Sequence, residues 1–448
     1  MGEDVSGDPT RRLTVVFLPE SAYGPTNQCI GLGDLLLRRG HRVVFASESS
    51  WAGRLAPLGF EERLVDLAPP PESDAADQQD AGQFWTDFIA ETAPEFRKST
   101  AGQLETFVAP TYQALVDGAV HAEPQLRRIL DEVRPDVVVE DNVVLFPALT
   151  TCGAPFVRIV SCNPLEVPGP RLPPRFSGLA TADPASWGDY LAELERTHRA
   201  LWESFNAWVV EQGAAPLPDL EFMPRDNAAS LYVFPEEADY TDLRPLDGTW
   251  HRLDSSVRRT DHDYVLPPQV ADRPAGSGLV YLSLGSLGGA DVELMQRLVD
   301  ALADSPHRFI VSLGPQADRI RLPSTMVGEQ TLPQTKVIPQ VDLVITHGGN
   351  NTTTEALHFG KPMVVLPIFW DQHDNAQRVQ ELGLGLRLRT YEVTPRELND
   401  AVDGLLADTA LRAQVAALGE RIRARDGLRR GADLIESVGV AHRRAAGS

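Results

Sequence analysis

Thiols, lysines and long apolar runs are scarce in this chain, and each scarcity removes a class of explanation. The 448 residues include only three cysteines, Cys29, Cys152 and Cys162. They show no CxxC spacing, so neither a disulfide framework nor a zinc site is expected, whereas reduced, buried thiols are. No stretch reaches the ~18 apolar residues needed to span a bilayer, and the first residues lack the apolar core of a signal peptide. A cytoplasmic protein without a membrane span is the expectation. Lysine is nearly absent: Lys98, Lys336 and Lys361 stand beside 38 arginines, a bias of a G+C-rich coding genome rather than of chemistry. Basic side chains as a whole are outnumbered, 41 against 63 acidic ones, which leaves a formal charge of −22. That charge opposes a polyanion and argues against a broad nucleic-acid interface. Hydrophobic residues make up 42% and aromatics 7%, so disorder and fibrous architectures are excluded. Two domains of roughly 200 residues are expected at this length. Composition sets no oligomeric state, and a homodimer stays open.

What is present is a strand, helix, strand pattern met twice. LTVVFL at 13–18 reads as a buried strand, 29–39 has helical spacing up to a Gly40 stop, and HRVVFAS follows as the next strand. This βαβ unit implies a parallel sheet with right-handed crossovers, and PDVVVED (135–141) and PFVRIVS (155–161) extend it. The pattern restarts with GLVYLSLGS at 278–286, a helix near 291–303, then HRFIVSLG, VDLVITHGG and KPMVVLP. Between the halves lies a Pro- and Gly-rich aperiodic segment, read as a linker over 263–277. The boundaries are thus 1–262, 263–277 and 278–426, with a last helix over 427–448. Two doubly wound α/β domains put the carboxyl ends of their strands on facing sides of a cleft, where such sheets bind ligands. Helical inserts over 67–125 and 165–212 carry aromatic residues at helical spacing: Phe84, Trp85 and Phe88, then Trp202, Phe205 and Trp208. Core packing and an apolar acceptor pocket both fit that spacing.

The segment 341–379 carries the chemistry. A buried strand ends at Thr346, and His347, Gly348 and Gly349 lead into a helix beginning near Asn351. Glycines let a ligand approach the backbone, and a helix start offers unpaired N–H groups with partial positive charge. With His347, Asn351 and Thr352 adding donors, the arrangement suits a diphosphate. Glu355 has two readings: Thr352-Thr353-Thr354-Glu355 is a capping box in form, and the carboxylate is also a candidate ligand.

These residues together closely resemble nucleotide-sugar-dependent glycosyltransferases of the GT-B fold, the broad natural-product family that includes macrolide and UDP-glycosyltransferases. The donor motif matches at His347-Gly348-Gly349, Asn351-Thr352, Glu355, Gly360-Lys361-Pro362, Pro367, Asp371-Gln372 and Asn375-Ala376. The resemblance implies that His347, Asn351 and Thr352 hold the diphosphate, that Glu355 binds ribose hydroxyls, and that Asp371 and Gln372 bind the sugar. Leu332-Pro333-Gln334 is similar to the family's base-binding turn, although Thr331 stands where an aromatic residue often opens it. Ser286 would face the phosphates, and 427–438 resembles the helix that crosses back to the first domain. The fold implied is two Rossmann-like domains facing an interdomain cleft, with acceptor binding in the first and donor binding in the second.

One position departs from the family. Its usual Gly-His-x-Asn in the first loop is Gly24-Pro25-Thr26-Asn27 here, and proline exchanges no proton. The loop before it looks about two residues longer than usual and carries Glu20, Ser21 and Tyr23. Glu20 is therefore the expected base, with Asp141, at the end of PDVVVED, as its partner or substitute, and Tyr23 joins Phe84, Trp85 and Phe88 as expected acceptor contacts. The activity implied is an inverting transfer of a hexose from a UDP- or dTDP-sugar to a small apolar acceptor, with no metal or other cofactor. The alternatives are an inert sugar-nucleotide-binding helper of a partner transferase and a same-fold epimerase.

Overall fold

Buried β-branched runs alternating with amphipathic helices build two parallel sheets. The computed structural model describes residues 12–68 and 91–446. The first sheet is formed by β1 (Thr14–Pro19), β2 (Arg42–Glu48), β3 (Glu61–Val65), β4 (Val137–Asp141), β5 (Phe156–Val160), β6 (Ala229–Tyr232) and β7 (Trp250–Arg252). Its spatial order is β3-β2-β1-β4-β5-β6-β7. The second comprises β8 (Leu279–Ser283), β9 (Arg308–Ser312), β10 (Met326–Glu329), β11 (Leu343–Thr346), β12 (Met363–Val365) and β13 (Gly385–Arg387), in the order β10-β9-β8-β11-β12-β13. Both orders reverse beside the first strand, between β1 and β4 and between β8 and β11, which makes a crevice at the strands' carboxyl ends. The registers that matter are Pro19 opposite Asp141 and Thr346 opposite Ser283.

Counting fully described helices of nine residues or more, the chain forms α1 (Tyr23–Arg38), α2 (Ala109–Val133), α3 (Trp187–Glu211), α4 (Val292–Ala301), α5 (Asn350–His358), α6 (Gln372–Glu381), α7 (Pro395–Ala407), α8 (Thr409–Arg425) and α9 (Gly427–Ala446). α1 begins six residues before the expected start, so Tyr23 and the Gly24-Pro25-Thr26-Asn27 stretch form its first turn rather than a loop. Pro25 fits there because the first N–H groups of a helix have no intrahelical partner to lose. The connection after β1 is correspondingly short, only Glu20, Ser21 and Ala22. In the connecting segment a single helical turn, Pro268–Ala271, interrupts the aperiodic stretch.

The aromatic residues of α3 serve the core. Phe205 is 1% exposed and stacks on Phe222 at 5.8 Å, while the Trp202 indole N–H donates to the Glu221 carbonyl at 2.9 Å. Phe84, Trp85 and Phe88 lie outside the described residues. The last helix, α9, returns to the first sheet and packs on α1, tied by Arg39 to Glu436 at 2.8 Å. The chain passes so closely at its start that a Cβ on Gly427 would lie 1.5 Å from the Leu253 carbonyl oxygen. No helix among the described residues is long and apolar enough to cross a membrane.

Candidate active site

A cavity of about 830 Å³ opens between the two sheets, lined from both domains. At its centre is the turn from β11 into α5. Gly348 adopts φ +87° there, and a Cβ would meet Val365 at 2.7 Å. Gly349 is the residue before the helix, and its missing side chain leaves room for the His347 ring, whose Nε2 would stand 2.4 Å from an added Cβ. Gly285, after β8, likewise leaves room for the ring, since a Cβ added there would lie 2.6 Å from its Cε1. Burial pushes the imidazole down to about 4, so it is neutral at pH 7. Gly349, Asn351, Thr352 and Ser286 all line the cavity beside it. Unpaired N–H groups of the helix start and a nearby imidazole form an anion site suited to a diphosphate.

α5 starts at Asn350, with Gly349 as its N-cap and no side-chain cap. Glu355 is therefore in the second turn, out of reach of the N-terminal N–H groups, and the capping reading of this residue falls. Its carboxylate is 1% exposed and accepts from Gln334 Nε2 at 2.6 Å and from Arg258 Nη1 at 3.1 Å. Gln334 also accepts from the Tyr281 hydroxyl at 3.2 Å. Leu332 and Gln334 line the cavity, and Pro333 precedes the short helix that starts at Gln334. Arg258 and Asp261, also in the lining, were not anticipated from the sequence, because they lie outside the donor motif in a stretch without pattern.

The block at the start of α6 divides its side chains between cavity and seam. Gln372 turns its amide oxygen to the N–H groups of Ile368 and Phe369, at 3.0 and 3.2 Å, which leaves its NH₂ as the group to offer a ligand. Asp371 accepts from the Asn163 N–H at 2.9 Å, and burial pushes its carboxyl up to about 7. Asp374 and Asn375 face the first domain: Asp374 accepts from the N–H groups of Phe176 and Gly178, and Asn375 accepts from Asn163 Nδ2 at 2.8 Å. His373 is 8% exposed, with its Nε2 3.2 Å from the Ile368 carbonyl oxygen. It supports the loop from inside rather than facing solvent.

Opposite this block, the ends of β1 and β4 bring Glu20 and Asp141 together. The Glu20 N–H donates to the Asp141 carbonyl at 2.8 Å, and both residues line the cavity. Glu20 is half-buried and accepts from the Ala22 N–H and the Ser21 hydroxyl, each at 3.1 Å. Asp141 is 2% exposed, accepts from Ser161 Oγ at 2.8 Å, and has no described partner at Oδ2. Burial pushes it well above the usual carboxylate range, and the charge of Glu20 adds to the effect. Pro25 and Tyr23 lie alongside in the wall, and Tyr23 Oη accepts from Arg54 at 3.3 Å. Phe107, Leu115, Val143, Val160 and Trp370 supply apolar surface at this end, interrupted by Arg158 and Glu166. Two carboxyl groups thus share one cavity with an anion site, which puts a group able to remove a proton and a site for an anionic leaving group in the same cleft.

The chain is similar in sequence and fold to known glycosyltransferases. The family described as "Erythromycin biosynthesis protein CIII-like, C-terminal domain" matches residues 296–426. The chain is 26% identical to NDP-glycosyltransferase YjiC of Bacillus subtilis (strain 168), over 95% of this chain and 96% of that one. It is also 26% identical to demethyllactenocin mycarosyltransferase of Streptomyces fradiae, over 96% and 87% respectively. Among solved structures, the glycotransferase of kitacinnamycin superposes with a TM-score of 0.66 at 25% identity, covering 96% of this chain and 99% of its own.

Proposed function

Starting from a chain that is a GT-B glycosyltransferase of the natural-product type, we propose an inverting transfer of a hexose from a UDP- or dTDP-sugar to a small, largely apolar natural product in the cytoplasm. The observation that carries this reading is that the His347 and α5 anion site and the Glu20 and Asp141 pair share one cavity. A single in-line displacement at the anomeric carbon needs that layout. The acceptor hydroxyl loses its proton on the carboxylate side while the nucleoside diphosphate leaves on the other. Leaving-group charge is met by the N–H groups of the α5 start and by His347, whose donation strengthens as the phosphate oxygen gains charge. No metal is required by these donors.

Gln372 NH₂ and the free edge of Asp371 would hold neighbouring sugar hydroxyls, while Gln334 and Glu355 take the nucleoside. The acceptor would rest on Phe107, Leu115 and Trp370. Neither an inert helper nor an epimerase is favoured by any feature of the cleft. The test is transfer of labelled glucose from UDP- and dTDP-glucose to a panel of aglycones, with the anomeric configuration of the product read by NMR. A β-linked product from an α-linked donor supports the proposal. Retention, or donor hydrolysis without transfer to any aglycone, counts against it.

A further inference from the structure

Glu355 is gripped from a part of the chain that belongs to neither the donor motif nor the second sheet. The segment after β7 carries Arg258, whose Nη1 donates to Glu355 Oε1 at 3.1 Å. The same guanidinium is held flat by Asp261, through Nε at 2.8 Å and Nη2 at 2.9 Å. Asp261 in turn accepts from the Thr335 hydroxyl at 2.9 Å, beside the turn expected to read the base. Side-chain exposure is 10% for Arg258, 13% for Asp261 and 1% for Glu355. A guanidinium fixed bidentately on one side and presented to a buried carboxylate on the other is pre-organised, not a loose surface arginine.

We propose that Arg258 is a positioning residue of the donor site, which keeps Glu355 an oriented carboxylate for the ribose hydroxyls of the nucleotide. The donor pocket then has a third wall supplied by the segment that leaves the first domain, and nucleotide affinity depends on how that segment lies against α5. The inference rests on the reading that Glu355 meets the ribose. The groups facing Glu355 are Arg258 and Asp261 from the segment after β7, Gln334 from the turn after β10, Tyr281 from β8 and Asn351 from its own helix. Burial pushes the Glu355 carboxyl up and Arg258 opposes this most strongly, with Gln334 and Asn351 helping and Asp261 working against them. Without Arg258 the carboxyl would hold its proton to higher pH, and a protonated acid is a poorer acceptor for two hydroxyls.

The experiment measures the affinity of the intact protein for UDP, dTDP and inorganic pyrophosphate between pH 6 and 9. Each variant is expressed as a ratio to wild type, which cancels the titration of His347. In Arg258→Ala, UDP and dTDP should bind about 10–100-fold more weakly, with the loss larger toward the acid end of the range, while pyrophosphate is unaffected. Arg258→Lys should retain most of the affinity, and Arg258→Gln should behave like the alanine variant, so these two decide the matter if alanine does not fold. Adding Arg258→Ala to Glu355→Gln should cost nothing further. A loss that does not vary with pH, an equal loss for pyrophosphate, or additive losses in the double variant would overturn the assignment. A wild type that binds pyrophosphate but neither nucleotide would overturn the donor reading itself, a different result from a nucleotide-binding wild type matched by its Arg258 variants.

Discussion

Two carboxylates at neighbouring strand ends do not ionise independently, because each charge raises the cost of the other. Glu20 accepts the Ala22 N–H at the start of α1 and is only half-buried. Asp141, buried and facing that charge, keeps its proton well above the usual carboxylate range. Glu20 is therefore the member available to take a proton. Glu20→Gln should slow transfer by about 10²–10⁴-fold. Asp141→Asn copies the protonated partner, so the acid limb of the pH profile should stay in place and an alkaline ionisation of the pair should disappear. Single-turnover rates across pH check both, and near-full rates in both variants would mean that the acceptor activates itself. His347 makes a second residue-scale prediction. Its free imidazole titrates near 4, and a bound diphosphate must raise that value. Nucleotide binding should then take up protons below neutrality, seen as a dependence of the binding heat on the buffer at pH 6. His347→Ala should abolish the uptake and weaken binding about 10–100-fold.

At the scale of elements, the turn between β11 and α5 works because two glycines leave space. Gly349 has an ordinary φ for a residue before a helix (−57°), so alanine there would bring no backbone strain. Its Cβ would instead collide with the His347 ring. Gly349→Ala should therefore weaken nucleotide binding more than tenfold while lowering the melting temperature little, and a large loss of stability with intact binding would contradict this. The turn was legible in the sequence because its parts are contiguous: a buried strand, His347, two glycines and a helix. The start of α1 was not, since Pro25 reads as a loop signal unless the first-turn exemption is applied. β7 and β13, three residues each, are too short to show a period. Arg258, Asn163 and Gln28 were unreadable for another reason. They meet Glu355, Asp371 and Asn351 across 97, 208 and 323 residues of chain, and isolated polar residues carry no pattern that announces a distant partner.

The whole molecule is two sheets joined by a seam that is part aromatic, with Trp370 4.3 Å from Phe176, and part polar, and clasped by α9. Arg378 donates to the carbonyl oxygens of Ala238 and Asp239, each at 2.7 Å, and Arg387 to that of Gly178 at 2.7 Å. Several buried rings must stay neutral in this packing, and acid acts on it through them. Burial pushes His198 and His373 down to about 3, and His347 and His358 to about 4. A histidine depressed in the folded state contributes stability that is complete above its unfolded value, about 6.5, and is lost as pH falls toward the folded value. Asp371 and Asp374, pushed up by burial to about 7 and about 8, act in the opposite sense, since the folded state holds their protons and stability declines as pH rises toward those values. Burial raises other carboxyls as well, Glu140, Asp141, Glu166 and Glu355 among them, so rings and carboxyls oppose one another and the sign is read from one ring at a time. His198 isolates the effect, because it packs edge-on against Tyr112 at 5.6 Å and is not in the cavity lining. His198→Gln should start from a lower melting temperature than wild type at pH 7.5, and the gap should narrow on acidification. An unchanged gap would mean that this ring is not held neutral by burial.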